Sequence, residues 1–348
     1  MNRLSTFSSL LPPPEWDRYV LAHRNANVAH LSAAVGIGAE AFGLQSYFLH
    51  VRDSVGAIRG VLPVVKQTLV PWVPTLVSVP FFTYGGPLFD DEHGLTALLD
   101  QLDRLSESLG ARRVVLRHVE SMPTIPHPES LDKIAMRLEL PGTTAELSEA
   151  LGSKLRSQIR RADRLKPSVR IGGAELVGDF YAVFCNVMRD LGTPVYPKRF
   201  FEVVLKSLGS CATVVVVSVG GRPVSGAIAM RWRDELEIPW AATLGSMRPD
   251  AINMRLYWEL MRFAVESGCR VFDFGRSSRD GGTHRFKAQW GASPLQLHWH
   301  LWHTTGSQAQ SSAPTGGESA ALLSRVWQRL PLAIANAIGP RISHRLPW

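Results

Sequence analysis

Hydrophobic and polar positions along this chain follow a pattern that runs through once and then repeats. Tyr47–Arg52 and Ile58–Val65 read as strands joined by the turn DSVGA. A strand at Thr75–Val79, a YGG loop and a helix from about Glu92 to Leu109 follow, and Leu95, Leu98, Leu99, Leu102 and Leu105 give that helix one apolar stripe. Gly110 ends it, and RRVVLRHV returns as a strand. In the second half Ala212–Val219, the turn GGRP, Val224–Trp232 and Leu236–Thr243 repeat the strand series. A loop at Ser246–Ile252 precedes a helix from about Met254 to Ser267, striped by Leu256, Leu260, Phe263 and Ala264; Gly268 stops it and CRVFDFG returns as a strand. Asp90 or Asp91 is the expected cap of the first helix and Asn253 of the second. Both glycines suit the left-handed position after a helix. Hairpin, further strands, helix and parallel-type return strand describe a mixed α/β unit used twice.

Between the copies the spacing predicts a helix from Ser153 to about Leu165, with Ser153 as its cap and Leu155, Ile159 and Ala162 as a narrow apolar face. Arg156, Arg160 and Arg164 recur every four residues on another face, which suits either phosphate recognition or plain solvation. A helix at roughly Leu176 to Leu191 leads through GTPVYP to a shorter one near Lys198–Leu208. After His303 the polar run TTGSQAQSSAPTGGES reads as a disordered linker. The tail from Ala320 to Trp348 is apolar and basic, broken by Pro331 and Pro340, and suits an anionic membrane face or the body of the protein equally. These signals divide the chain into domains at 1–150 and 151–303 and a linker with tail at 304–348.

A length of 348 residues fits two domains. The net charge of +8 fits anionic partners or a solvated basic surface without choosing between them. Cys185, Cys211 and Cys269 are odd in number and form no CxxC pair, which points to a reducing, cytoplasmic setting. The N-terminus lacks a signal-peptide pattern, no run approaches 18 apolar residues, and prolines at 63, 71, 74 and 80 break the apolar stretch from Val61 to Phe82 into strands and loops.

Candidate chemistry concentrates in Phe272–Ala292, FDFGRSSRDGGTHRFKAQWGA, read as two aromatic-rich strands around a cationic loop with Arg276, Arg279, His284, Arg285 and Lys287. Such a loop places cations near an anionic substrate or a developing oxyanion. Asp273 reads as a group that orients Arg276 or accepts a proton from an amine, or as one half of a structural ion pair. Tyr84, Gly85 and Gly86 sit where strand gives way to helix, as a ligand approach or a tight turn, and Tyr196 in GTPVYP is a further candidate for a cleft. His298 and His300 share a strand face, but nothing supplies a third ligand at regular spacing, so no metal site is expected.

Several of these segments together resemble the Fem-type (FemAB-like) aminoacyltransferases. They are KLRSQIRRADRL, NVMRDLGTPVYPKRFF, GGRPVSGAIAM, NMRLYWELMRFAVESGCRVFDFGRS and GGTHRFKAQWGA, with GVLPVVKQ and LVSVPFFTYGGPL in the first half. The likeness covers roughly residues 12 to 303 and is nearest the FemAB-like subgroup found beside exosortase and exopolysaccharide systems. It implies an α/β fold of tandem acetyltransferase-like (GNAT) domains with mixed sheets. No heptad stretch corresponds to the coiled-coil arm of the larger members. It further implies transfer of an aminoacyl or acyl group onto an amine of a phosphorylated envelope or exopolysaccharide precursor. Aminoacyl-tRNA or acyl-CoA would be the co-substrate, with no bound cofactor and no DNA partner. The family's Phe–Lys pair falls on Phe286–Lys287, with Lys287 at the oxyanion. On their own chemistry and position, apart from the resemblance, Arg276, Arg285, Arg156, Arg160, Tyr84, Gly85, Gly86 and Tyr196 are the candidate substrate-binding residues. The acetyl-CoA fingerprint of ordinary GNAT enzymes is absent, the corresponding loop reading SMRPDAIN. An N-acyltransferase on an aminosugar and a non-catalytic scaffold of a polysaccharide-assembly complex are the competing readings. The expected location is cytoplasmic, with the tail as a peripheral contact at the inner membrane face.

Overall fold

The structure is a computed structural model that describes residues 4–70, 72–279, 281–304 and 318–346; of the polar run at 304–319 read above as a linker, 305–317 lie outside them, and Glu318 and Ser319 belong to a helix instead. Its contacts divide the chain into two compact units.

The first unit holds β1 (Ser5–Ser9), α1 (Trp16–Ala22), α2 (Ser32–Phe42), β2 (Gln45–Arg52), β3 (Ile58–Leu69), β4 (Val73–Val77), β5 (Leu88–Phe89), α3 (Glu92–Ser108), β6 (Arg113–His118) and β7 (Glu129–Ser130). The strand His298–His303 joins them from far along the chain. The sheet runs β1-β2-β3-β4-β6, then His298–His303, then β7, with β5 on β3. β4 and β6 are parallel over Thr75–Val77 and Arg113–Val115. The leucine stripe of α3 buries Leu95, Leu98, Leu102 and Leu105 among Leu49, Leu62, Leu76 and Val114. Asp91 caps the helix by accepting the Gly94 N–H at 2.9 Å, and Gly110 follows with φ +60°.

The second unit holds β8 (Lys133–Glu139), α4 (Thr144–Ala150), α5 (Ser153–Asp163), β9 (Ser168–Gly172), α6 (Val177–Asp190), α7 (Lys198–Leu208), β10 (Ala212–Val219), β11 (Arg222–Trp232), β12 (Glu235–Thr243), α8 (Ile252–Glu266), β13 (Val271–Ser278), α9 (Gly282–Ala288) and β14 (Ser293–Gln296). Numbering continues with β15, the strand His298–His303 of the first sheet, and the tail helices α10 (Glu318–Gln328) and α11 (Leu332–Ile342). The second sheet runs β14-β8-β13-β12-β11-β10-β9. β9 to β12 are antiparallel neighbours, whereas β12 and β13 are parallel. Its core sets Leu155, Ile159 and Ala162 of α5 with Leu256, Leu260 and Ala264 of α8 and Phe272 and Phe274 of β13.

Five expectations need correction. The segment around RFKAQW is the helix α9, not a strand: Phe286 and Trp290, four apart, both meet Tyr257, at 5.0 and 6.5 Å. Ser153 is the first residue of α5, after Gly152 at the cap. Asn253 lies inside the first turn of α8, which Ala251 precedes with φ +56°. Pro340 sits within the last turn of α11, where only one backbone bond is at stake, and Pro331 starts that helix instead of merely breaking the tail. The compact units divide between Lys133 and Ile134 instead of at 150, and β15 closes the first sheet although local spacing put it with the second domain. The tail docks on the second unit: Arg189 Nη1 donates to the Leu330 carbonyl at 3.2 Å, and Gly339 is packed so tightly that a Cβ there would stand 3.0 Å from Val195 N.

Candidate active site

In the second sheet β12 and β13 are laddered only over Glu235–Glu237 and Val271–Asp273. Beyond that point the ladder stops and β13 takes a left-handed step at Gly275, φ +72°. A Cβ there would lie 3.0 Å from the Ile238 carbonyl oxygen, so both the dihedral and the space call for glycine. Gly275→Ala is therefore expected to cost about 1–3 kcal/mol, read as a lower denaturation midpoint with an unchanged slope.

The step turns the carbonyls of Gly275 and Arg276 toward α9, where Lys287 Nζ donates to them at 2.8 and 2.9 Å. Lys287 is 5% exposed. Burial lowers its pKa to about 8 against the pull of Asp273 and Glu237, and Arg276 lowers it further. An ammonium has three N–H donors, and the two carbonyls use two of them. Asp273 is fully buried: Oδ1 accepts the Gly275 N–H at 2.7 Å and Oδ2 accepts Arg137 Nε at 3.2 Å. Arg137 also donates to Glu235 at 2.9 Å. Burial lowers the pKa of Arg276, while Tyr196 and Glu237 raise it. Tyr196 is buried against Phe200, ring centroids 4.8 Å apart. The residue before the lysine, Phe286, lines a cavity of about 190 Å³ with Ala241, Thr243, Arg248, Asn253 and Tyr257. Burial pushes the Tyr257 hydroxyl up to about 12, so it is a neutral hydrogen-bonding group there at ordinary pH.

Lys287, Phe286, Asp273, Arg276 and Tyr196 thus belong to one neighbourhood. Arg285 stands exposed on α9, and Arg160 exposed on α5. Arg156 donates to the Leu151 carbonyl, closing the α4–α5 turn. Tyr84, Gly85 and Gly86 belong to the first unit, and packing accounts for both glycines. A Cβ on Gly85 would lie 2.3 Å from Val79 Cγ2, and one on Gly86 2.7 Å from His118 Cβ. The Gly85 N–H donates to Arg117 O at 2.9 Å. In that unit His298 Nδ1 meets Glu129 at 2.5 Å and His300 Nδ1 meets the His127 carbonyl at 2.9 Å. Among the described residues no three His, Cys, Asp or Glu side chains are grouped to hold a metal ion. Sequence reasoning missed Arg137, Glu237 and Tyr257. Glu237, a carboxylate in the otherwise apolar LEIPW run, was the one local signal available.

Residues 152–288 match the family described as acetyltransferase (GNAT) domain. No curated protein matches the sequence. Among solved structures the chain is similar to FemX, at 14% identity and TM-score 0.64 over 85% of this chain and 97% of that one. It is also similar to a tandem GNAT protein from the clavulanic acid biosynthesis pathway, at 12% identity and TM-score 0.58 over 88% and 100%. A third is L-PGS from Bacillus licheniformis, at 14% identity and TM-score 0.56 over 92% and 98%. At such identities the likeness is one of fold: α/β, with two mixed sheets in tandem GNAT-like domains. No helix among the described residues is long and apolar enough to cross a membrane.

Proposed function

We propose that this chain is an acyltransferase of the Fem type, moving an aminoacyl group onto an amine of a phosphorylated cell-envelope or exopolysaccharide precursor. The observation that carries the reading is Lys287: a buried ammonium anchored by two main-chain carbonyls, with one N–H uncommitted to them, next to the aromatic that lines the cavity. The acceptor amine attacks the acyl carbonyl, and the remaining Lys287 N–H stabilises the oxyanion that forms. Collapse of the tetrahedral intermediate breaks the bond to the donor oxygen or sulfur, and the proton lost by the amine goes to the leaving group. Asp273 acts here as a positioning residue, since both its oxygens are engaged. Arg276 and Arg285 serve the phosphate of the acceptor.

A second reading, acyl-CoA as donor, is favoured by the acetyltransferase match and by Arg248 and Asn253 at the cavity beside the start of α8. Purified full-length protein would be given labelled aminoacyl-tRNA or labelled acyl-CoA, each with nucleotide-linked amine acceptors. Label moving from aminoacyl-tRNA supports the first reading, and label moving only from acyl-CoA replaces it with the second. No transfer from either donor sinks both.

A further inference from the structure

The two tail helices leave most of their branched aliphatics exposed. Toward the second unit α11 turns Ala335 and Gly339, both buried. Of its four larger aliphatics, Ile334 and Ile338 face outward at 44% and 41% exposure, while Leu332 and Ile342 are half-buried. α10 buries none of its described side chains: Ser324 and Trp327 are half-buried, and Leu322, Leu323 and Val326 are exposed at 60%, 70% and 54%. Leaving five branched aliphatics in water on consecutive helices forgoes burial that a simple exchange of positions would provide, the usual mark of an apolar face with a partner. The charge on this segment is one-sided. From Glu318 to Ser343 the chain carries Arg325, Arg329 and Arg341 against one carboxylate, Glu318, and all three arginines are exposed.

That charge pattern selects the occupant. A symmetric dimer pairs a surface with itself and would bring arginine against arginine. An anionic bilayer meets both features at once, taking the aliphatics at the acyl boundary and the guanidinium groups among the headgroup phosphates. We propose that α10 and α11 form a peripheral binding surface for anionic membrane lipid, with the Ala335–Gly339 face of α11 anchored on the second unit.

The test is co-sedimentation of the full chain with vesicles of phosphatidylcholine alone and of phosphatidylcholine with phosphatidylglycerol. Binding is expected only to the anionic vesicles, weakening as salt rises. Replacing Arg325, Arg329 and Arg341 by Gln is expected to reduce it about 100-fold. Replacing Leu322, Leu323 and Val326 by Ser is expected to reduce it about tenfold or more. These positions are exposed, so unchanged thermal midpoints would show that both variants still fold. No binding to either vesicle, or equal binding by all three proteins, overturns the proposal. So does concentration-dependent dimerisation abolished by the serine variant, which would make the face a contact between copies.

Discussion

Lys287→Ala is expected to slow acyl transfer by about 10²–10³-fold, the usual result of removing one oxyanion donor. The structure gives two reasons for an effect of that size. The ammonium is almost wholly out of water, where a charge–dipole interaction is strong. It is also held by the Gly275 and Arg276 carbonyls, so its remaining N–H is oriented before substrate arrives. A pH profile separates this role from its main rival. Burial brings the pKa to about 8, so the donor form is present below that pH and lost as pH rises through it. The wild-type rate should therefore fall above about pH 8. Lys287→Arg keeps its charge and should lack that descending limb, which also cancels any titration of the acceptor amine. A rate that instead climbs through this range in wild type alone would assign Lys287 as a base.

Asp273→Asn should cost more stability than Gly275→Ala. The carboxylate is fully buried and joins the Gly275 N–H to Arg137. Breaking one side of such a buried pair costs about 3–5 kcal/mol. The lower end is expected here, because Arg137 keeps Glu235 and remains partly exposed. The same change removes the group that most raises the Lys287 pKa. The descending limb of the pH–rate profile should then move to lower pH, on top of the loss in denaturation midpoint. A destabilised variant with an unmoved limb would mean that Asp273 holds the strand without acting on the lysine.

Most elements were legible because their signals are local. The α3 leucines and the glycine that follows sit within one helix length of each other, and the strands from Ala212 to Thr243 are set off by short turns. What escaped depends on distance. Arg137 and Asp273 are 136 positions apart, and nothing near either names its partner. β15 lies beside β6 through register pairs such as His298 with His118, which no spacing encodes. α9 was misread because two aromatics in a short glycine-flanked span suit a strand as well as a helix, and only packing on Tyr257 decides. The lysine was found from its resemblance to a known motif; the carbonyls that hold it were not, since backbone oxygens leave no trace in a sequence.

That anchoring has an evolutionary consequence. A side-chain partner for Lys287 could be deleted by a single substitution, but main-chain oxygens are supplied by every residue type. The position at 275 is constrained by its dihedral and the close Ile238 carbonyl, whereas residue 276 contributes to the anchor only its backbone. A change of the Arg276 side chain therefore leaves the anchor standing and acts on Lys287 only through the charge it removes, which lets the lysine pKa rise. Anchor and charge are thus separable at one residue, its backbone supplying the first and its side chain the second.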